Sequence, residues 1–136
     1  MSGPSPELLR STPLFASLDD ATLEQLASDF IQREFAEGAV LAEEGQGGLN
    51  FFLVESGDAV VTVGGREVGS LGPGTAFGEI ALVDKSARTA TIRATSPMKT
   101  YALPVWSFRS FVETRPEVAW RLLEILAERL RTAEAR

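Results

Sequence analysis

The chain contains no cysteine and no histidine among its 136 residues. Without cysteine there is no disulfide framework and no thiolate metal site. Without histidine the commonest general base and the commonest metal ligand are both missing, which excludes serine triads and histidine-based zinc sites. We therefore expect no metal site and no cofactor, while catalysis by carboxylates or lysine stays open at this point.

Long apolar runs and an excess of positive charge are missing as well. No apolar run reaches the roughly 18 residues that suggest a membrane span, and the N-terminus lacks the basic-then-apolar pattern of a signal peptide. The formal net charge of −6 disfavours direct binding to DNA or RNA. Arginines near the C-terminus alternate with glutamates, as on a solvated helix face. We expect a cytoplasmic protein that binds neither membranes nor nucleic acids.

Apolar content and length are sufficient for one domain with a buried core. The chain is 44% hydrophobic and contains eight Phe residues, and its length is near the commonest domain size. Near the N-terminus, Glu7–Arg10 fits one helical turn. Leucines at helical spacing predict a helix from about 19 to 29, with Ser17 or Asp19 as its N-cap.

From residue 31 to 103 the pattern changes to short runs rich in Val, Phe, Thr and Ile, separated by Gly. Such runs predict β-strands in a sandwich or a barrel. Gly64–Gly65 is typical of a two-residue hairpin turn. The predicted strands are Ile31–Phe35, Ala39–Ala42, Asn50–Ser56, Ala59–Val63, Glu67–Leu71, Thr89–Ala94 and Lys99–Leu103.

Two helices are predicted after the strands. Val105–Glu113 forms a short helix that follows Pro104. Thr114 is a plausible N-cap for a second helix that continues nearly to the end, with Pro116 in its first turn. Its apolar positions include Ala119, Leu122, Leu123, Leu126 and Leu130.

The stretch FGEIALVDKSARTATIRA, residues 77–94, carries the chemistry. Glu79 and Arg88 lie nine positions apart, with Gly78, Ala81 and Ala90 beside them. Small side chains allow a ligand to approach the backbone amides closely. A guanidinium holds phosphate through two parallel hydrogen bonds, and a carboxylate accepts hydrogen bonds from sugar hydroxyls.

The segment FGEIALVDKSARTA closely resembles the phosphate-binding cassette of the cyclic nucleotide-binding domain family. FFLVESGDAVVTV resembles the hairpin that precedes the cassette in this family, and SLGPGTAFGE resembles the approach to it. The resemblance covers roughly residues 8–132. The cassette positions are Phe77, Gly78, Glu79, Ile80, Ala81, Leu82, Arg88, Thr89 and Ala90.

The resemblance implies an α+β fold that is mainly β. The expected architecture is an antiparallel jelly-roll β-roll (a double-stranded β-helix) with an N-terminal helix, a short cassette helix and two C-terminal helices. We predict a single cyclic nucleotide-binding domain over residues 1–136. Within it we expect an N-terminal helical segment at 7–30, the β-roll at 31–103 and the hinge and lid helices at 104–136.

The resemblance also implies the ligand contacts. Arg88 would pair with the cyclic phosphate, and Glu79 would accept a hydrogen bond from the ribose 2′-hydroxyl. Backbone N–H groups around Ile80, Ala81 and Leu82 would face the phosphate, as helix N-termini do for anions. The flanking Gly78 and Ala90 complete the ligand-binding cassette.

Further contacts are implied outside the centre of the cassette. Thr89 would offer its backbone N–H, and by one hypothesis its hydroxyl, to the phosphate or base. Val61 and Val68 would form an apolar wall beside the purine. The last helix would close over the base as a lid, with Leu123, Leu126 or Leu130 as contacts.

Each of these residues has a plainer interpretation. Arg88 alone is compatible with a solvated surface residue, Gly78–Glu79 with a simple turn, and Thr89 with a strand residue. The leucine stripe of the last helix is compatible with core packing or with a dimer seam.

The chemistry favours a receptor over an enzyme. Phosphodiesterases normally need metal ions to polarise phosphate and activate water, and this cassette offers a single acid. We therefore predict a non-catalytic cyclic nucleotide receptor that signals by moving its C-terminal helix. The ligand is expected to be cAMP; the alternatives are a cGMP-binding version and a β-roll interaction domain that no longer binds nucleotide.

The partner that receives the signal is open. In the kinases and channels of the family, Thr after the arginine tends to accompany cGMP, whereas bacterial members with a hydroxyl residue there commonly take cAMP. Residues 131–136 leave no room for a DNA reader after the last helix, so we expect a stand-alone receptor or one domain of a longer protein. Either a separate protein or an attached effector domain would respond, and the receptor would be a monomer or a homodimer through its last helix.

Overall fold

The computed structural model describes residues 3–45, 50–78 and 89–135. Within these ranges two helices, α1 (Pro6–Arg10) and α2 (Asp20–Ala27), precede the strands, and two helices, α3 (Val105–Thr114) and α4 (Pro116–Glu134), follow them. The strands between them are β1 (Ile31–Phe35), β2 (Val40–Ala42), β3 (Asn50–Ser56), β4 (Ala59–Val63), β5 (Arg66–Leu71), β6 (Ala76–Phe77), β7 (Thr91–Ala94) and β8 (Met98–Pro104).

The strands form two four-stranded sheets. One has the order β1-β8-β3-β6 and the other the order β2-β7-β4-β5. All neighbouring strands run antiparallel. The mainly β fold with helices at both ends is therefore confirmed. The predicted cassette helix falls within residues 79–88 and lies outside the described residues.

The β4–β5 hairpin turns at the predicted glycine pair. Gly64 and Gly65 have φ angles of 59° and 80°, the left-handed values that a two-residue hairpin turn requires and that glycine adopts without steric cost. Along this hairpin Val61 pairs with Gly69 and Thr62 with Glu67. The register therefore passes over Val68, which is the extra residue of a β-bulge.

All seven predicted strands agree with the structure to within two residues at each end. Strand β6 was not predicted. It contains only Ala76 and Phe77, which pair with Leu53 and Phe52 of β3. A pair of two residues is too short for an alternating pattern to be visible in the sequence.

The sheet β1-β8-β3-β6 is covered on both faces. Along β3, Phe51 and Leu53 belong to a core cluster with the helices, whereas Phe52 and Val54 belong to a second cluster between the sheets. Successive side chains of a strand point to opposite faces, so the continuous apolar run of β3 supplies both clusters. We call these the helical cluster and the inter-sheet cluster.

Helix α2 begins at one of the two predicted caps. The carboxylate of Asp19 accepts a hydrogen bond from the Thr22 backbone N–H at 2.8 Å, which satisfies a donor left unpaired in the first turn. The hydrogen bonds with Thr22 hold the pKa of Asp19 below its usual range.

The predicted cap of α4 is wrong. Thr114 belongs to the last turn of α3, where its hydroxyl donates to the Phe111 carbonyl at 3.0 Å. Arg115 stands at the start of α4 with φ −137° and ψ 67° and makes no side-chain cap hydrogen bond. Because Pro116 follows, the residue before it is driven out of the helical region, which places the break one residue later than predicted.

The apolar stripe of α4 is divided between two faces. Val118 and Leu122 are buried in the helical cluster, with Ile125 and Leu126 packed against it. Leu123 and Leu130 are exposed. The predicted apolar set of this helix is therefore only partly a core face.

Candidate functional site

The predicted cassette joins the two sheets. Gly78 directly follows β6 of one sheet, and Thr89 and Ala90 directly precede β7 of the other. Gly78 has a φ of 95°, a conformation that side chains with a Cβ rarely adopt. The remaining predicted cassette contacts, Glu79, Ile80, Ala81, Leu82 and Arg88, lie outside the described residues and their roles stay predictions.

Both flanks of the cassette are fixed in the inter-sheet cluster. Phe77 is buried and its ring stacks on Phe52 with the ring centroids 4.9 Å apart. Ile92, just beyond Ala90, is buried in the same cluster. Both ends of the cassette are therefore anchored in one well-packed cluster. A loop that holds a ligand needs such a fixed base.

The two predicted wall residues differ in their surroundings. Val61 on β4 is half-buried and packs against the inter-sheet cluster, which also holds Phe77 and Ile92. Val68, the bulge residue of β5, is 57% exposed. The fold thus brings Val61 to the cluster that anchors the cassette, and it does not bring Val68 there.

The remaining described site residues are accessible. Thr89 is exposed and Ala90 is half-buried. The next residue, Thr91, accepts a hydrogen bond through its hydroxyl oxygen from the backbone N–H of Glu44 at 3.0 Å. Sequence reasoning did not select Glu44, because its partners are far away in the chain.

The predicted lid residues lie on the other side of the covered sheet. Leu126 packs against the helical cluster, and Leu123 and Leu130 are exposed on α4. Val61 belongs to the inter-sheet cluster. In this structure α4 therefore packs with the N-terminal helices and not with the predicted purine wall.

Among the described residues, two of the titratable groups with shifted pKa values, Lys99 and Tyr101, lie together on β8. The Tyr101 hydroxyl donates to the Glu55 carboxylate at 3.1 Å, and the Lys99 ammonium lies 3.1 Å from the same carboxylate. Burial raises the pKa of Tyr101, and the hydrogen bond to Glu55 raises the pKa of Lys99. These three groups form a polar network between β3 and β8.

Two features are absent from the described part of the chain. Over 3–45, 50–78 and 89–135, no three acidic, cysteine or histidine side chains are grouped so that they could hold a metal ion. In the same part of the chain, no helix has both the length and the apolar character needed to cross a bilayer.

The chain belongs to the cyclic nucleotide-binding domain family. The model of that family matches residues 32–115. The match includes the cassette, the wall strands and the helix α3. The family assignment made from the sequence is confirmed, and with it the β-roll fold.

Similarity to individual proteins extends over most of the chain. The chain is 43% identical over 81 residues to a cGMP-dependent protein kinase of Eimeria tenella. The aligned segment covers 60% of this chain and 8% of the kinase. It matches the crystal structure of the Thermus thermophilus catabolite activator protein with a TM-score of 0.83 and 32% identity, over 91% of this chain and 61% of that one. It matches the regulatory domain of Toxoplasma gondii PKA, co-crystallised with cAMP, with a TM-score of 0.71 and 30% identity, over 77% of this chain and 42% of that one.

The relatives are longer proteins. The chain spans 8%, 26%, 21% and 31% of the lengths of four curated relatives, a kinase, two kinase regulatory subunits and a channel. The part of these relatives that the chain matches includes the cyclic nucleotide-binding domain, whose family model covers residues 32–115 of this chain.

Proposed function

We propose that this domain is a non-catalytic receptor for a cyclic nucleotide, with cAMP as its ligand. The observation that carries the proposal is the family match over residues 32–115. This range contains the predicted ligand-binding cassette, including Gly78, Glu79, Arg88, Thr89 and Ala90. Each of these positions has the residue type that the proposed contact requires. The cAMP bound to the similar PKA regulatory domain of Toxoplasma gondii supports the choice of ligand.

The proposed contacts divide the nucleotide into three parts. Arg88 pairs with the cyclic phosphate through two parallel hydrogen bonds, and the backbone amides near Ile80 add donors to it. Glu79 accepts the ribose 2′-hydroxyl. Val61 contributes an apolar surface for the purine, as its packing against the inter-sheet cluster favours, whereas the exposed position of Val68 does not support the same role.

The proposed signal is a change in the position of α4. A ligand shifts such an equilibrium only if it binds the two arrangements with different affinity. An apolar base beside Val61 offers that difference when α4 covers it in one arrangement and leaves it exposed to water in the other. The receiver is a separate protein or a further module of a longer chain.

Calorimetric titration with cAMP and cGMP tests the proposed function. Saturable binding of cAMP, and weaker binding of cGMP, is the expected result, with 5′-AMP as a control that has the same base but no cyclic phosphate. Absence of binding for both cyclic nucleotides at about 1 mM, the weak end of specific affinities, would contradict the proposal. Tighter binding of cGMP would change the ligand and keep the receptor.

The receptor and the β-roll that no longer binds nucleotide differ in the expected effect of cAMP on thermal stability. A ligand that binds only the folded state adds about 2.7 kcal/mol at a concentration 100 times its Kd. Saturating cAMP is therefore expected to raise the Tm of the receptor. An unchanged Tm together with silent calorimetry would favour an interaction domain.

We also propose that the receptor forms a homodimer through α4. Trp120, Leu123, Ala127 and Leu130 are all exposed and recur at intervals of three, four and three residues, the spacing with which helices pair. Packing of this apolar surface against the same surface of a second copy removes it from water, which stabilises the dimer.

Substitution of Trp120, which is 69% exposed, tests the dimer. Trp120→Gln is expected to shift the sedimentation coefficient from that of a dimer to that of a monomer at micromolar concentration. Trp106→Gln is the matched control, because Trp106 lies on α3 outside the stripe and is 64% exposed. A wild-type protein that sediments as a monomer, or an equal effect of the two substitutions, would contradict the dimer.

A further inference from the structure

A carboxylate outside the cassette connects three parts of the β-roll. Glu44 follows β2, and its backbone N–H donates to the Thr91 hydroxyl oxygen at 3.0 Å. Its side-chain Oε1 accepts a hydrogen bond from the Gly64 backbone N–H at 2.9 Å. Thr91 is the first residue of β7 and Gly64 is the first residue of the β4–β5 turn, so one residue bridges two elements that are distant in sequence.

The hairpin tip that Glu44 holds has little other support. A Cβ placed on Gly64 or Gly65 would meet no described atom within 4 Å. Strand β5 is the edge of its sheet, so one side of the hairpin has no neighbouring strand. The hydrogen bond from the Gly64 N–H to the Glu44 side chain therefore holds the tip where packing does not.

The connected elements are those on which the proposed nucleotide site rests. The hairpin carries Val61 and Val68, and β7 continues directly from Thr89 and Ala90. Strands β4 and β7 are paired near this point, with Thr62 opposite Thr91. Through its two hydrogen bonds Glu44 therefore ties the proposed purine wall to the end of the cassette.

We propose that Glu44 is a positioning residue for the cyclic nucleotide, an inference that rests on the proposed function. Glu44 acts through the hairpin and β7 and does not itself touch the ligand. A hairpin tip that is already held loses less conformational freedom when the nucleotide binds. Removal of the side chain transfers that ordering cost to the binding step, and the affinity falls.

Three variants separate this role from a general effect of charge. Glu44→Ala removes the acceptor, and its affinity for cAMP is expected to fall about two- to tenfold, the range of one hydrogen bond. Glu44→Gln keeps an oxygen acceptor without the charge and is expected to restore wild-type affinity. Glu67→Ala is the matched control, because Glu67 carries the same charge and is exposed on the same hairpin.

The sign of the effect distinguishes the hydrogen bond from electrostatics. Loss of a negative charge by itself strengthens the binding of an anionic ligand, so a charge effect raises the affinity of all three variants. A fall in Glu44→Ala alone, measured by calorimetry with cAMP, supports the positioning role. Amide exchange by NMR on the free proteins adds a second measurement, with faster exchange of the Gly64 N–H expected in Glu44→Ala.

The outcomes that overturn the inference are distinct from those that overturn the function. If wild-type protein binds cAMP and Glu44→Ala binds it equally well, Glu44 does not position the site. Equal losses in Glu44→Ala and Glu44→Gln, or in Glu44→Ala and Glu67→Ala, also overturn it. If wild-type protein binds neither cAMP nor cGMP, the proposed function fails, and the positioning role fails with it.

Discussion

Arg88→Ala is expected to lower the affinity for cAMP about ten- to hundredfold. A hydrogen bond to a charged group contributes about 1.5–3 kcal/mol, and each 1.4 kcal/mol corresponds to about a factor of ten. The phosphate of cAMP has one charge, and in the proposed site Arg88 is its partner. Calorimetric titration of the variant and the wild-type protein measures the difference directly.

Two further substitutions define what Arg88 does. Arg88→Lys keeps the charge but loses the planar fork that forms paired hydrogen bonds, so an intermediate affinity is expected. Arg93→Ala is the matched control. Arg93 lies on β7 and donates a hydrogen bond to the Gly38 carbonyl at 2.8 Å, so its substitution is expected to affect the stability of the fold and not the affinity for cAMP. If Arg88→Ala binds cAMP as tightly as the wild type, Arg88 is a solvated surface residue and the proposed phosphate contact is wrong.

Phe15→Ala is expected to lower the free energy of unfolding by about 3–5 kcal/mol, the usual range for removing a buried phenylalanine ring. Phe15 has no exposed surface. Its ring meets those of Phe30 and Phe51 edge-on, with centroids 6.5 and 5.9 Å away. The helical cluster joins the N-terminal helices, the covered sheet and the C-terminal helices, so a cavity here has several walls that cannot all collapse.

Denaturant unfolding followed by fluorescence or circular dichroism measures this loss. Phe35→Ala is the control, because Phe35 is only half-buried at the edge strand β1 and its removal leaves a site that water can fill. A loss for Phe15→Ala no larger than that for Phe35→Ala would show that the helical cluster does not depend on this ring. Phe15→Leu, which keeps much of the volume, is expected to be tolerated better.

The sequence was most informative where local chemistry decides the structure. Gly64–Gly65 predicted a hairpin because a tight turn needs left-handed φ angles, and Asp19 was one of two predicted caps because its carboxylate can reach the first turn of a helix. The strand bounds followed from the glycines between them. These features depend on residues that are neighbours in the chain, so a single sequence contains the necessary information.

Features that depend on distant residues were not predicted. The contacts of Glu44 join residues 20 and 47 positions apart, and nothing near Glu44 indicates them. The bulge at Val68 arises from the register between two strands. Val61 and Val68 therefore differ in burial, although both were predicted to line the purine wall. The start of α4 was placed one residue early because Thr114 is a good cap in isolation, while Pro116 decides where the backbone turns.

The candidate site shows the same division. The residue types of the cassette were recognisable from the sequence, since phosphate and sugar recognition need a guanidinium, a carboxylate and small neighbours. The structure adds that the two flanks, Phe77 and Ile92, are anchored in one cluster. The roles of Glu79 and Arg88 stay predictions that the binding experiments decide.

Strand β3 contributes neighbouring side chains to both core clusters. Phe51 and Phe52 are consecutive residues, yet one packs in the helical cluster and the other in the inter-sheet cluster. A single peptide unit therefore separates the packing around the cassette flanks from the packing beneath α4. The strand cannot slip by one residue to relieve strain, because a slip would exchange its two faces. Phe52 stacks on Phe77 and Phe51 meets Phe15 edge-on, so this one strand is in ring contact with both the cassette flank and the cluster on which the C-terminal helices rest.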